Sequence, residues 1–245
     1  MNAAARHALV AALAILLTAT PGSAPAQGQG NPRGLSMRAP DRDEDFRRAD
    51  ASAVVAAELA FARAAQDKGQ WTAFAEYATD DAVMFVPEVV NAKAWLKGRA
   101  NPPQAVRWQP HQVWSSCDGS LAVTKGAWQR PDGSVGYFTT VWRRPEGREA
   151  EYRWVMDQGD VLQEPLAAPE MIDAKAADCS DVMASAVYLE NGRDADGFHA
   201  VSGVSADESL SWSVVVAPDA SRTLTVHFWQ DGELKEVLRS EVAAE

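Results

Sequence analysis

The chain has 245 residues, 47% hydrophobic and 23% charged, with 34 acidic residues against 23 basic ones and a formal net charge of −11. That balance describes a globular chain of one or two domains and excludes a wholly disordered one. The acidic excess argues against nucleic acid as a partner, because neutralising phosphates needs a basic surface.

Arg6 and His7 precede an apolar run from Ala8 to Ala19, followed by Pro21-Gly22 and the small residues Ala24-Pro25-Ala26. A positive start, a short apolar core and an Ala-x-Ala site predict a signal peptide over 1–26, cleaved after Ala26. The run is too short to span a bilayer, which needs about 20 apolar residues. No later run is long enough either, so the sequence predicts a periplasmic or secreted protein with no membrane span after cleavage. Residues 27–49, rich in Gly, Pro, Arg and Asp, read as a flexible lead-in.

Asp50 is placed to cap a helix with Val54, Val55, Leu59, Phe61, Ala62 and Ala65 on one broad face, and Gly69 to end it. A second, shorter helix carries Trp71, Phe74 and Tyr77 and is expected to stop at Asp80-Asp81. Ala82 to Val86 reads as a strand ended by Pro87, and Ala92 to Arg99 as a third helix before the Asn101-Pro102-Pro103 break. Asp118-Gly119, Asp132-Gly133 and Glu146-Gly147 then mark hairpin turns at even spacing, which predicts a four-stranded antiparallel meander from about Gln109 to Asp157.

Charge divides the chain near Asp160. Residues 27–159 carry seventeen basic and seventeen acidic residues, whereas 160–245 carry five and seventeen, a net −12. A Pro- and Ala-rich linker is expected over 160–182. Five short alternating runs, separated by Asn191-Gly192, Pro218-Asp219 and Asp231-Gly232, then predict a small acidic antiparallel β unit over 183–245. The element order predicts an α+β fold: helices packed on a curved antiparallel sheet, followed by the small all-β C-terminal unit. Cys117 and Cys179 can pair across the two parts if the chain is exported, or stay as two buried thiols. Neither has a Cys or His at ligand spacing, so no metal site is expected, and nothing points to a cofactor. Asp194-Ala195-Asp196-Gly197 lacks the outer positions of a calcium loop and reads as an acidic turn.

Phe61-Ala62-Arg63-Ala64-Ala65 with Gly69 and Trp71, Tyr77 to Val83, and Gly136 to Arg144 with Trp154 to Asp157 resemble the nuclear transport factor 2-like superfamily. The resemblance covers residues 53–159 and is strongest to an uncharacterised branch of exported bacterial proteins with SnoaL-like and ketosteroid-isomerase-like relatives. It implies a cone-shaped domain over 50–159 whose helices and concave sheet face enclose a pocket. The superfamily holds enzymes, binding proteins and assembly modules, so activity has to come from the site.

Strict alternation places Tyr137, Thr139, Val141 and Arg143 on one face of their strand and Phe138, Thr140, Trp142 and Arg144 on the other. On the last meander strand it sets Asp157 with Arg153 and Val155, opposite Trp154. Trp71, Trp95, Trp108 and Trp142 are the candidate pocket lining for a small apolar or aromatic ligand, with core filling as the plain alternative. His111 is the candidate base, since it titrates near neutrality among Trp108, Val113 and Trp114, with Asp157 or Tyr77 assisting. No Gly-x-Ser-x-Gly elbow or phosphate-binding glycine loop is present. The leading expectation is an exported small-molecule-binding protein without assigned catalysis. The alternatives are a proton-transfer enzyme, an isomerase or dehydratase using His111, and a homodimerising assembly module.

Overall fold

The computed structural model describes residues 49–145, 150–179 and 188–244. The expected signal peptide and all of the lead-in but Ala49 lie outside the described residues, as does the Glu146-Gly147 turn.

Helix α1 (Ala51–Lys68) starts where expected: Asp50 Oδ1 accepts from the backbone N–H groups of Ser52 at 3.0 Å and Ala53 at 3.3 Å. It ends at Gly69, whose φ of 100° is open to few other residues. A Cβ there would also meet the Asn101 side chain at 2.4 Å. That close approach has a purpose, because Asn101 Oδ1 accepts from Trp71 N at 2.7 Å and Thr72 N at 3.1 Å and so caps α2 (Gln70–Tyr77) from a distance of thirty residues. The chain then passes straight into β1 (Ala78–Phe85), so Asp80-Asp81 lies inside a strand rather than closing the helix. β2 (Val89–Asn91) folds back on β1, and α3 (Ala92–Leu96) follows, capped by Asn91.

β3 (Arg107–Ser115), β4 (Leu121–Gln129), β5 (Val135–Arg143) and β6 (Arg153–Leu162) are consecutive antiparallel neighbours. Gly119 and Gly133 take the positive φ angles their turns demand, 67° and 90°. β7 (Asp173–Ala176) comes from the stretch read as linker and pairs parallel with β3, while β1 pairs parallel with β6. The result is a seven-stranded mixed sheet in the order β2-β1-β6-β5-β4-β3-β7. β8 (Tyr188–Arg193), β9 (His199–Val204), β10 (Leu210–Val216), β11 (Arg222–Gln230) and β12 (Glu233–Val242) form a second, five-stranded antiparallel sheet.

The expected α+β architecture does not hold. Strands take 49% and helices 17% of the described residues, and the helices are three short ones. The first sheet is mixed rather than antiparallel, because α2 runs into β1 with no reversal and β1 therefore joins β6 in parallel. The C-terminal strands share a core with the first sheet: Val123, Val141 and Met156 pack with Trp212, Leu224 and Phe228 in one buried cluster. Alternating apolar residues on β10 and β11, such as Trp212, Val214, Leu224 and Val226, supply the inner face of that second layer. On the other face of the first sheet, Val54 and Phe61 of α1 bury against Val113, Trp142 and Trp154. The described residues belong to one compact unit. No helix among the described residues is long and apolar enough to cross a membrane.

Two turns fasten the sheets together. Ser116-Cys117-Asp118-Gly119-Ser120-Leu121 and Ser205-Ala206-Asp207-Glu208-Ser209-Leu210 share the pattern Ser-x-Asp-x-Ser-Leu. In each, the aspartate Oδ1 accepts from both serine hydroxyls and from the second serine's N–H. The turns then bond each other reciprocally, Cys117 N donating to Ser209 Oγ at 2.9 Å and Ala206 N to Ser120 Oγ at 3.0 Å. Asp118 N adds a bond to Asp207 Oδ2 at 2.9 Å.

Cys117 and Cys179 form a disulfide, with a Cα–Cα separation of 5.1 Å. Alkylation of the unreduced, denatured protein is therefore expected to leave both thiols unmodified by intact mass, and alkylation after reduction to add two labels. Two labels without reduction would show that the bridge is absent.

Candidate functional site

Two β-bulges decide what faces the helices. On β6 the register steps between Val141↔Met156 and Trp142↔Trp154, which leaves Val155 as the extra residue. Trp154 and Asp157 therefore lie on the same face despite their odd separation. That corrects the strict alternation, which set them on opposite faces. On β3 the step between Pro110 and Gln112 leaves His111 as the extra residue, so Trp108 and Val113 both reach the helix side.

That side carries two buried carboxyl groups. Glu58 of α1 is fully inaccessible, and three donors converge on it. Trp108 Nε1 donates to Oε1 at 2.7 Å, while Thr124 Oγ1 at 2.6 Å and Trp142 Nε1 at 3.0 Å both donate to Oε2. Burial raises its pKa above the ordinary carboxylate range, and the three donors pull against that shift. Asp157 of β6 lies opposite Thr140, whose hydroxyl donates to Oδ2 at 2.7 Å. Burial pushes the Asp157 carboxyl up to about 7, the Thr140 bond opposes this, and the charge on Glu58 adds to it. No Lys, Arg or His among the described residues makes an ion pair with either carboxyl.

Asp157 lines a cavity of about 1080 Å³ walled by Phe61, Phe74, Met84, Trp108 and Phe138. The cavity is what leaves this otherwise deep residue some accessible surface. Trp71 also lines it, and Arg130, Asp132, Asp160 and Arg222 add charge to its lining. Edge-to-face packing fixes the aromatic wall: Phe61 meets Phe74 at 4.8 Å and Trp108 at 4.9 Å. Arg222 is held by Gln158 Oε1 at 3.1 Å and the Gly159 carbonyl at 2.8 Å, beside the Phe85 ring.

Of the expected site residues, the structure brings Asp157, Trp71 and Trp108 to this cavity. Trp142 is core, its indole spent on Glu58 and Thr124. Trp95 sits on α3 with Arg99 stacked 3.5 Å from its ring, packed edge-on against Trp71. Tyr77 packs its ring on Phe61 at 5.3 Å and does not line the cavity. His111 is buried in its bulge, and that burial lowers its pKa and so disfavours its charged form. It is not among the cavity walls and forms no hydrogen bond with Asp157 or Tyr77. The proposed base is thus not assembled with its proposed partners.

Glu58 is the residue that sequence reasoning passed over. Its signal was there: Val54, Glu58, Phe61 and Ala65 fall on one stripe of α1, and a carboxylate on an apolar stripe needs buried donors.

No protein-family model matches the chain, and no curated protein matches it. Among solved structures it is similar to a crystal structure of a "putative aromatic ring hydroxylase" from Novosphingobium aromaticivorans, with 16% identity and a TM-score of 0.35. That likeness covers 48% of this chain and 92% of the other, and at this distance it carries no argument about fold or function.

Proposed function

We propose that the protein is an exported, periplasmic or secreted binder of a small, largely apolar ligand, held in the cavity lined by the helices, the seven-stranded sheet and the ends of β11 and β12. The observation that carries this is a cavity of about 1080 Å³ with an aromatic wall and the Asp157 carboxyl in its lining. Ligand sites have this make-up, mostly apolar with a few placed polar groups that fix orientation, and volumes up to roughly 1,000 Å³ are usual. The resemblance of residues 53–159 to the nuclear transport factor 2-like superfamily supports the reading through its motifs alone. The Cys117–Cys179 disulfide and the signal-like N-terminus support export.

A second reading is favoured by one feature, the Asp157 carboxyl held at about 7. A group with that pKa lining a cavity can take and return a proton near neutral pH. Proton transfer would then run through Asp157, tuned by Glu58, and not through His111. The assembly reading needs an uncovered sheet face, and the second sheet already covers the first on that side.

Mass spectrometry of small molecules released by denaturing the purified exported protein tests the binding reading. The expected result is one organic species near one equivalent. Protein that releases nothing, and that takes up no apolar dye or aromatic ligand when soaked, would overturn it.

A further inference from the structure

Glu58 and Asp157 are buried acids that interact with each other and have no cationic partner among the described residues. Buried charge in proteins is normally paired. Every group that touches Glu58 is a donor, two of them indole N–H groups that can only donate, so the pocket around it is built for an anion. Asp157 uses Oδ2 for Thr140, and its Oδ1 bonds to no described residue. The rings of Phe74, Trp108 and Phe138 line the same cavity. Aromatic faces and an unpaired carboxylate attract the same class of molecule, a cation with an apolar body.

We infer that the ligand of this cavity is an organic cation: a protonated amine that donates to Asp157 while its apolar, ring-bearing body lies against Trp108, Phe74 and Phe138. The inference rests on the binding reading above and narrows it to a class. The amine supplies the positive charge that the fold leaves out. Glu58 acts behind Asp157 as a positioning residue, since its charge adds to the negative potential and its bond to Trp108 Nε1 sets one wall. The other charged groups along the cavity are Asp132 and Asp160, which favour a cation, and Arg130 and Arg222, which oppose one. Arg130 stacks 4.7 Å from the Trp128 ring, and Arg222 is bonded to Gln158 and Gly159, so both are engaged by protein groups.

The pH sense follows from the protonation states. A protonated amine needs ionised Asp157, so affinity should fall by up to about tenfold per pH unit as pH drops below 7, and level off above it. A neutral ligand that accepts a hydrogen bond from protonated Asp157 would show the opposite slope.

Equilibrium dialysis of the folded full chain with naphthylmethylamine, naphthylmethanol and naphthylacetate separates the classes on one common ring body. The amine is expected to bind at least about tenfold tighter than the alcohol at pH 7.5, with the acetate weakest. Asp157→Asn, which keeps the shape, should bring the amine's affinity down to that of the alcohol. Equal or tighter binding of the alcohol or the acetate overturns the cation inference and leaves the binding reading standing. A preference for the amine that survives Asp157→Asn overturns it as well. If none of the three binds, the inference falls, and the copurified molecule decides the binding reading alone.

Discussion

Glu58→Ala is expected to cost about 4 kcal/mol of folding stability, an effect large enough to leave the chain marginal. The substitution strands Trp108 Nε1, Trp142 Nε1 and Thr124 Oγ1, each a donor with its bond aimed at the missing carboxylate. An unsatisfied buried donor costs about 1–3 kcal/mol, and the void left by the side chain adds to the sum. Relief from burying a carboxylate offsets part of it. Thr124 and Trp142 also bond each other at 3.1 Å, so neither is left wholly without a partner. Glu58→Gln should cost less, about 2 kcal/mol, because the amide oxygen can still serve one side while the NH₂ faces donors on the other. Urea unfolding at pH 6 gives both values. A Glu58→Ala loss below about 1 kcal/mol would show that the three bonds do not organise this core. Near-ultraviolet circular dichroism should change with Glu58→Ala even where the fold survives, since two indoles lose their anchor.

Wild-type protein is expected to be more stable at pH 5 than at pH 8, and Asp157→Asn to flatten that dependence. The Asp157 pKa is raised from an ordinary 3.8 to about 7 in the folded chain. Its contribution is therefore full below the unfolded value near 4 and is lost as pH rises through 7. A shift of that size caps the loss at roughly 4 kcal/mol, and water in the cavity reduces it, so a difference of about 2 kcal/mol is the working expectation. Glu58, also raised, adds in the same direction. At pH 8 the Asn variant should exceed wild type in stability, and the gap should narrow steadily as pH falls toward 4. A wild-type stability that is level between the two pH values, or that rises with pH, contradicts this account of Asp157.

Much of the local structure was legible from turn chemistry. Asp118-Gly119 and Asp132-Gly133 mark their hairpins by a backbone requirement that acts within four residues, and Asp50 and Gly69 bracket α1 for similar reasons. What could not be read depends on residues far apart in the chain. The parallel pairing of β1 with β6, and of β7 with β3, has no local signature, and β7 sits in a stretch whose composition looks like linker. The second sheet reads as a separate acidic unit because its outward residues carry the charge, while its inward ones complete the first sheet's core. The two bulges mattered most for the site. Alternation assigns faces correctly on β5, where Phe138, Thr140 and Trp142 do share a side, and fails on β6, where the extra Val155 turns Asp157 toward the helices. Glu58 stayed hidden for a related reason. A lone glutamate in an Ala-rich helix looks solvated until three donors, from positions 108, 124 and 142, are seen to meet it.

The reciprocal turns at Ser116–Leu121 and Ser205–Leu210 set an order on biosynthesis. A ribosome delivers the chain from its N-terminus, so the β3–β4 hairpin exists nearly ninety residues before the β9–β10 turn that accepts from Cys117 N and Asp118 N. Until then those amide groups have only water, and the face bearing Val123, Val141 and Met156 has no cover. A nascent chain that has not yet delivered β10 and β11 thus carries an uncovered half-core, which is a substrate for chaperones rather than a finished domain. Strands β10 and β11 close that core, so a truncation that removes them should abolish folding rather than trim the domain.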